Sequence, residues 1–258
     1  MLDEHIVPKN WGLIPYINFI GLHIPTYTIF MILAFLSAFI CFKLTADKKS
    51  EDDSESRKII IAFALLGGII GSKLPILITN YHLLFKYPDN LILLFYGKTI
   101  VGGLIGGVIA VAFIKRKLKI NIRTGNDIAA PAALGMAIGR IGCLFTGCCY
   151  GIKCSQALGI NFGDGFRYPT QIYEMIFDFV LFVVLLYLKR TKELKPGALF
   201  KYLLNSYFIF RILIEFIRAN ERVFFVFTYY QLLCAFCLLF INRKVILEFI
   251  KKFKKAGN

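Results

Sequence analysis

Acidic residues are scarce in this sequence. Its 258 residues hold 16 Asp and Glu against 31 Lys and Arg, and the four types together make up only 18% of the chain. A soluble globular domain carries about 25% charged residues and an apolar share of about 45 to 50%. Here hydrophobic residues reach 57% and aromatics 16%, which excludes such a domain and predicts an integral membrane protein, a single domain over residues 1–258. Histidine is scarcer still, and His5, His23 and His82 all lie outside the long apolar segments. There is no low-complexity tract. The first 24 residues mix His5, Pro8, Lys9, Asn10 and His23 with apolar positions, without a basic start followed by a clean apolar core. No cleavable signal peptide is expected from them.

The cysteines are Cys41, Cys143, Cys148, Cys149, Cys154, Cys234 and Cys237, an odd number. Neither a zinc ribbon nor a thioredoxin-like redox centre fits their pattern, so no metal and no cofactor is expected. Cys41, Cys234 and Cys237 read as small apolar core residues. A bridge from Cys148 or Cys149 to Cys154 stays open, whereas adjacent cysteines bridging each other would be strained.

What is present is a series of apolar segments of span length, about 20 residues. Seven qualify: Tyr27 to Thr45, Ile59 to Thr79, Leu91 to Ile114, Ile128 to Tyr150, Ile172 to Leu188, Leu199 to Ile217 and Val223 to Ile241. The formal charge of +15 is concentrated in blocks at and after the ends of the first, third, fifth and seventh segments, which hold Lys43, Lys48, Lys49, Arg57 and Lys58, then Lys115 to Arg123, then Lys189 to Lys195, then Arg243 to Lys255. Basic residues in short blocks set topology and touch anionic lipid, rather than forming a nucleic-acid face. The positive-inside rule then predicts an outer N-terminus and a cytoplasmic C-terminus.

Inside the second to fourth segments lie Gly67, Gly68, Gly71, Gly102, Gly103, Gly106, Gly107, Gly135, Gly139 and Gly142. Small residues at spacings of three and four let helices approach closely. They also admit a lipid head group or irregular backbone around a protein-lined cavity. The connection from Gly147 to Tyr168 is a candidate lid or peripheral element over such a cavity.

Arg140 stands in the middle of this apolar chemistry. An arginine at the centre of a membrane helix costs about 2.5 to 3.5 kcal/mol on insertion scales, which marks it as a functional candidate with an anionic partner. Arg211, Glu215 and Arg218 follow at i, i+4 and i+7, one face of a helix. Gln171, Tyr173, Glu174 and Asp178 begin the fifth segment, and Lys73 and Lys98 add positive charge. A buried ionic network that sets helix register is the plain alternative. The excess of cations favours an external anion, and arginine suits phosphate because it binds bidentately and stays charged.

These residues resemble the prolipoprotein diacylglyceryl transferase family. The likeness rests on Ile69-Ile70-Gly71-Ser72-Lys73, Gly102-Gly103-Leu104-Ile105-Gly106, Asn126-Asp127-Ile128-Ala129-Ala130-Pro131, Gly139-Arg140-Ile141-Gly142, Tyr168-Pro169-Thr170-Gln171-Ile172-Tyr173-Glu174 and Phe210-Arg211 through Arg218, with Gln231 opening the last segment. The resemblance implies an all-α, seven-span enzyme of the bacterial plasma membrane built around a lipid cavity. Such an enzyme moves diacylglyceryl from phosphatidylglycerol to the lipobox cysteine of a prelipoprotein and releases glycerol phosphate. It also implies Arg140 and Arg211 as catalytic residues, with Tyr27, Lys73, Gly102, Gly103, Glu174, Glu215 and Arg218 binding substrate beside Arg140.

The chain departs from the family pattern at several places. Val101 replaces the family's histidine before the third-segment glycines, and Cys143 and Cys148 stand where Asn and an acid are usual. Lys73 replaces arginine, Tyr168 replaces a common histidine, and Thr26 and Thr28 flank Tyr27 in place of Trp and Gly. Tyr27, Glu215, Glu174 or the substrate phosphate remain as acceptors for the thiol proton. A thiol role is open for Cys143 and Cys148, including attack on the lipid by the protein's own sulfur. The alternative reading is a homologue with altered substrate, or a non-catalytic phospholipid-binding paralogue. A thiol oxidoreductase rests on the cysteines alone, and a transporter lacks an evident inverted repeat.

Overall fold

The computed structural model describes residues 12–19, 22–46, 51–79, 98–122 and 124–256. Within them are seven α-helices and three two-stranded hairpins. The chain runs β1 (Tyr16–Phe19), β2 (Leu22–Pro25), α1 (Thr26–Thr45), α2 (Glu51–Thr79), α3 (Ile100–Lys117), α4 (Gly125–Thr146), β3 (Ile160–Asn161), β4 (Phe166–Arg167), α5 (Thr170–Thr191), α6 (Ala198–Ile214), β5 (Arg222–Phe224), β6 (Phe227–Thr228) and α7 (Tyr229–Ala256). Each hairpin is antiparallel, Tyr16 opposing Pro25 in the first, Ile160 opposing Arg167 in the second and Phe224 opposing Phe227 in the third.

Five of these helices, α1, α2, α4, α5 and α7, are long and apolar enough to cross a membrane. The other two are shorter: α6 has 17 residues, and α3 has 18 with Lys115, Arg116 and Lys117 in its last turn. Residues 91–97 of the third expected segment lie outside the described residues, as do His5 and His82. The helices α2, α5 and α7 outrun the expected segments. Their added turns carry charged residues such as Arg57, Lys189 and Arg190, which an apolar-run criterion stops short of.

Packing follows small residues. Helix α2 lies against α3, α1 against α4, and α4 against α5 and α6, with α7 on α6. A Cβ on Gly71 would meet the Gly102 carbonyl oxygen at 2.5 Å, and one on Gly106 would meet the Gly67 carbonyl oxygen at 2.3 Å. Backbones that close leave no room for any side chain, so these glycines make the α2–α3 contact. Polar groups are inside and apolar ones outside: Ile69, Phe113, Leu213 and Phe236 are exposed, while Asp127, Arg140, Glu174, Asp178, Arg211 and Glu215 are buried. That inversion suits lipid as solvent.

Two ends are distinct. At one, Asp127 in the first turn of α4 accepts from Arg57 at 3.1 Å and Lys189 at 2.6 Å, joining α4 to α2 and α5. Asn126 bridges the same end to the start of α6 through the Leu199 amide at 3.0 Å. At the other end, α4 stops at Gly147, whose φ of 72° is left-handed. The Cys148 amide donates to the Cys143 carbonyl at 3.1 Å and the Gly147 amide to that of Leu144 at 3.3 Å, the Schellman pattern of a glycine-terminated helix. Here the β1–β2 segment is stitched on, with the Ile14 amide donating to the Phe145 carbonyl at 3.0 Å.

Cys234 and Cys237 have Cys-x-x-Cys spacing, but one turn of α7 carries them. Cys234 is buried among Val101, Leu204, Tyr207 and Phe208, the core role expected of it.

Candidate active site

Three helices and the turn after the last of them bring three guanidinium groups to one carboxylate. Arg140 comes from the last third of α4, Glu174 from the first turns of α5, and Arg211 from the last turn of α6. Helix α6 ends at Ile214, so the expected single face for Arg211, Glu215 and Arg218 is not one regular helix. Glu215 is the capping residue and Arg218 lies in the turn beyond, which folds back toward the bundle. Convergence is achieved all the same.

Glu174 pairs with Arg140, with Arg218 at 2.5 Å and with Arg211 at 3.4 Å. Glu215 takes the other side of Arg211 at 2.8 Å and accepts from Thr228 at 3.0 Å and Asn220 at 2.5 Å. All five charged residues are at most 6% exposed. The Nε atoms of Arg140 and Arg211 have no hydrogen-bond partner, and neither oxygen of the buried Asp178 has one. A buried polar atom without a partner costs roughly 1 to 3 kcal/mol, so the arginine donors and the Asp178 oxygens alike keep unused hydrogen-bonding capacity.

The cluster is roofed by the segment after α4. The Cys149 carbonyl accepts from Thr170 Oγ1 at 2.6 Å and Arg218 Nη1 at 3.1 Å, and the Cys148 carbonyl from Gln171 Nε2 at 2.7 Å. The Gly151 amide donates to the Tyr168 carbonyl at 2.8 Å and the Ile152 amide to that of Ile217 at 2.9 Å. Farther out, Arg167 grips Asp164 with two nitrogens and lies 4.5 Å from the Tyr150 ring centre. The Gly147 to Tyr168 connection is thus an ordered peripheral element sewn to α5 and to the end of α6.

Other expected site residues sit elsewhere. Tyr27 is half-buried at the start of α1, where a Cβ on Gly142 would come 3.6 Å from its Cα, and Lys98 Nζ is 5.9 Å from its ring centre. Lys73 is half-buried on α2, two residues after Gly71 of the glycine contact. Gly102 is enclosed by Gly71, Thr99 and Pro75, and a Cβ on Gly103 would lie 3.4 Å from the Gly68 carbonyl oxygen, which gives both a packing role. Val101 is buried at 2% against Tyr207, Phe208 and Cys234, so the position of the family's histidine is an apolar core. His23, the one histidine among the described residues, is exposed on β2.

All seven cysteines are free of disulfides. The open pairing with Cys154 is therefore not formed; instead the thiols of Cys143, Cys148 and Cys149 come within 4.8 Å of one another. The chain reversal at Gly147 makes that cluster, and linear spacing alone does not show it. Sequence reading also passed over Thr228 and Asn220, which hold Glu215, because isolated polar residues near helix ends carry no motif.

Fold and site together define a multi-pass membrane protein with a buried cluster of three arginines around Glu174 and Glu215. The profile for prolipoprotein diacylglyceryl transferase matches residues 15–246, and the chain belongs to that family. It is similar to the phosphatidylglycerol–prolipoprotein diacylglyceryl transferase of Clostridium tetani, 32% identical over 78% of this chain and 84% of that one. It is also similar to the second such enzyme of Clostridium perfringens, 32% identical over 78% and 82%, and to that of Geobacter sulfurreducens, 32% identical over 76% and 78%.

Proposed function

We infer that this chain is a diacylglyceryl transferase, taking the diacylglyceryl group of phosphatidylglycerol onto a prelipoprotein thiol, with glycerol phosphate as the other product. The observation that carries the reading is the shared carboxylate: Glu174 holds Arg140, Arg211 and Arg218 in one buried group while all three guanidinium Nε atoms keep donor capacity. Relatives named for this reaction supply the substrate classes.

The reaction is a displacement at an sp3 carbon. The acceptor sulfur forms a bond to the glyceryl carbon, the carbon–oxygen bond to phosphate breaks, and its electron pair leaves on the phosphate. Arg140 and Arg211 bind that phosphate and stabilise the charge that grows on it, in a site from which water is excluded. Glu174, Glu215 and Arg218 hold the two arginines in place, and Asp178 borders them. Tyr27 and Lys73 flank the approach of the lipid. The acceptor is the lipobox segment of a prelipoprotein.

The seven helices run alternately between the Asp127 end and the Arg140 end, each crossing the bacterial plasma membrane. The basic turns of α1, α3 and α5 lie at the Asp127 end. Positive-inside orientation places that end in the cytoplasm, with the N-terminus and the cradle toward the outer face.

The test is a reconstituted assay with phosphatidylglycerol vesicles and a lipobox peptide. The expected result is a peptide carrying a diacylglyceryl thioether, with release of glycerol phosphate. No thioether under conditions in which the C. tetani enzyme makes it would overturn the reading.

A further inference from the structure

The cradle handles the leaving group, but among the described residues no histidine is at hand to take the proton of the acceptor thiol. Val101 fills the position of the family's histidine with apolar core, and His23 is exposed on β2. The three thiols beside the cradle answer that need.

Cys143 lies on α4 one turn after Arg140 and is buried, while Cys148 and Cys149 are half-buried. Two left-handed residues, Gly147 at φ 72° and Cys149 at φ 62°, turn the chain back so that all three sulfur atoms come within 4.8 Å of one another. A non-glycine residue in that region costs energy and persists where its surroundings hold it. Here Gln171, Thr170 and Arg218 hold it by binding the Cys148 and Cys149 carbonyls. Three sulfurs around a zinc ion at about 2.3 Å stand about 3.8 Å apart in tetrahedral geometry, so rotation about side-chain bonds closes the cluster on a metal.

We propose that Cys143, Cys148 and Cys149 form a three-thiolate site for Zn2+, with the fourth position open to the acceptor thiol. The inference rests on the transferase reading. Soft sulfur donors select zinc over hard cations such as Mg2+ and Ca2+. Three protein ligands and one exchangeable position are the arrangement of catalytic rather than structural zinc. Three thiolates around a divalent ion leave one net negative charge, which the neighbouring Arg140 and Arg218 offset. On binding, the acceptor thiol gives its proton to water, because a thiol coordinated to zinc is deprotonated. Its sulfur then forms the carbon–sulfur bond as the phosphate departs toward Arg140 and Arg211. The resulting thioether is a weaker ligand and leaves the metal.

The experiment uses the full chain in detergent, stripped with EDTA and titrated with Co2+. Sulfur-to-cobalt charge-transfer absorption is expected to saturate at one ion per chain and to be displaced by Zn2+. It should be absent from Cys143→Ser, Cys148→Ser and Cys149→Ser and unchanged in Cys154→Ser. Because a serine variant that misfolds would also lose the band, protection of these thiols from maleimide by Zn2+ is measured on the unaltered protein. EDTA should lower transfer about a hundredfold, the scale of lost proton-transfer help, with Zn2+ restoring it.

Absence of both the absorption and the protection would overturn the site. Transfer that continues undiminished in stripped protein would overturn the metal's part while leaving the transferase reading intact. Zinc bound with no thioether formed would support the site and overturn the acceptor step together with the proposed function. Copper(I) found in place of zinc would overturn the choice of metal.

Discussion

Glu174 has three guanidinium partners from two helices and the turn beyond one of them, and no other carboxylate is so placed among the described residues. Glu174→Gln is expected to destabilise the fold by about 3 to 5 kcal/mol, the scale for breaking a buried ion pair from one side. A lowered unfolding midpoint in detergent checks this. Arg140→Ala is expected to leave membrane insertion unchanged and to reduce transfer about a hundred- to a thousandfold, as for loss of a preorganised donor to a developing anion. Thioether formation at equal membrane content measures it, and Arg140→Lys should not restore it, because a single ammonium cannot replace a planar fork. Arg140, Arg211 and Glu174 are legible in the sequence because lipid excludes unpaired charge. Their sharing of one carboxylate is not, since it depends on α4, α5 and α6 packing against one another.

At the scale of elements, the α2–α3 pair separates packing glycines from tolerant ones. A Cβ on Gly71 or Gly106 meets backbone atoms at 2.3 to 2.7 Å, whereas on Gly68 the nearest atom is 3.6 Å away. Gly106→Ala is therefore expected to cost about 1 to 3 kcal/mol through forced separation of the helices, and Gly68→Ala to be close to neutral. Yield of folded protein and its thermal midpoint compare the two. The sequence shows small residues in both helices but not which of them face each other. At the opposite end, Asp127→Asn removes the negative partner of Arg57 and Lys189, and a lower midpoint with the Arg140 cluster still active is expected.

For the whole molecule, the basic helix ends and the cradle lie at opposite ends of the bundle. A fluorescent reporter fused after α7 is expected to be bright, and a phosphatase reporter at the same place inactive, if the proposed cytoplasmic C-terminus holds. The reverse pattern would invert the whole topology, since the four basic blocks alternate together. The five helices that meet the length and apolarity of a span leave α3 and α6 as the shorter members, and both are packed against neighbours in the bundle. Van der Waals packing and bound polar groups, rather than hydrophobic segregation, hold such helices in place.

The membrane class, the apolar segments, the charge blocks and the intramembrane arginines followed from the sequence alone, because the cost of charge in lipid is local and large. So did the family, whose motifs are read in linear order. Tertiary structure decided which charges share Glu174, that Gly102 is a packing residue, that Val101 closes an apolar core, and that Cys143, Cys148 and Cys149 form one cluster. Each of these depends on a chain reversal or a helix contact between residues far apart in sequence. Such contacts are set by the shapes of packed surfaces, which no single segment contains.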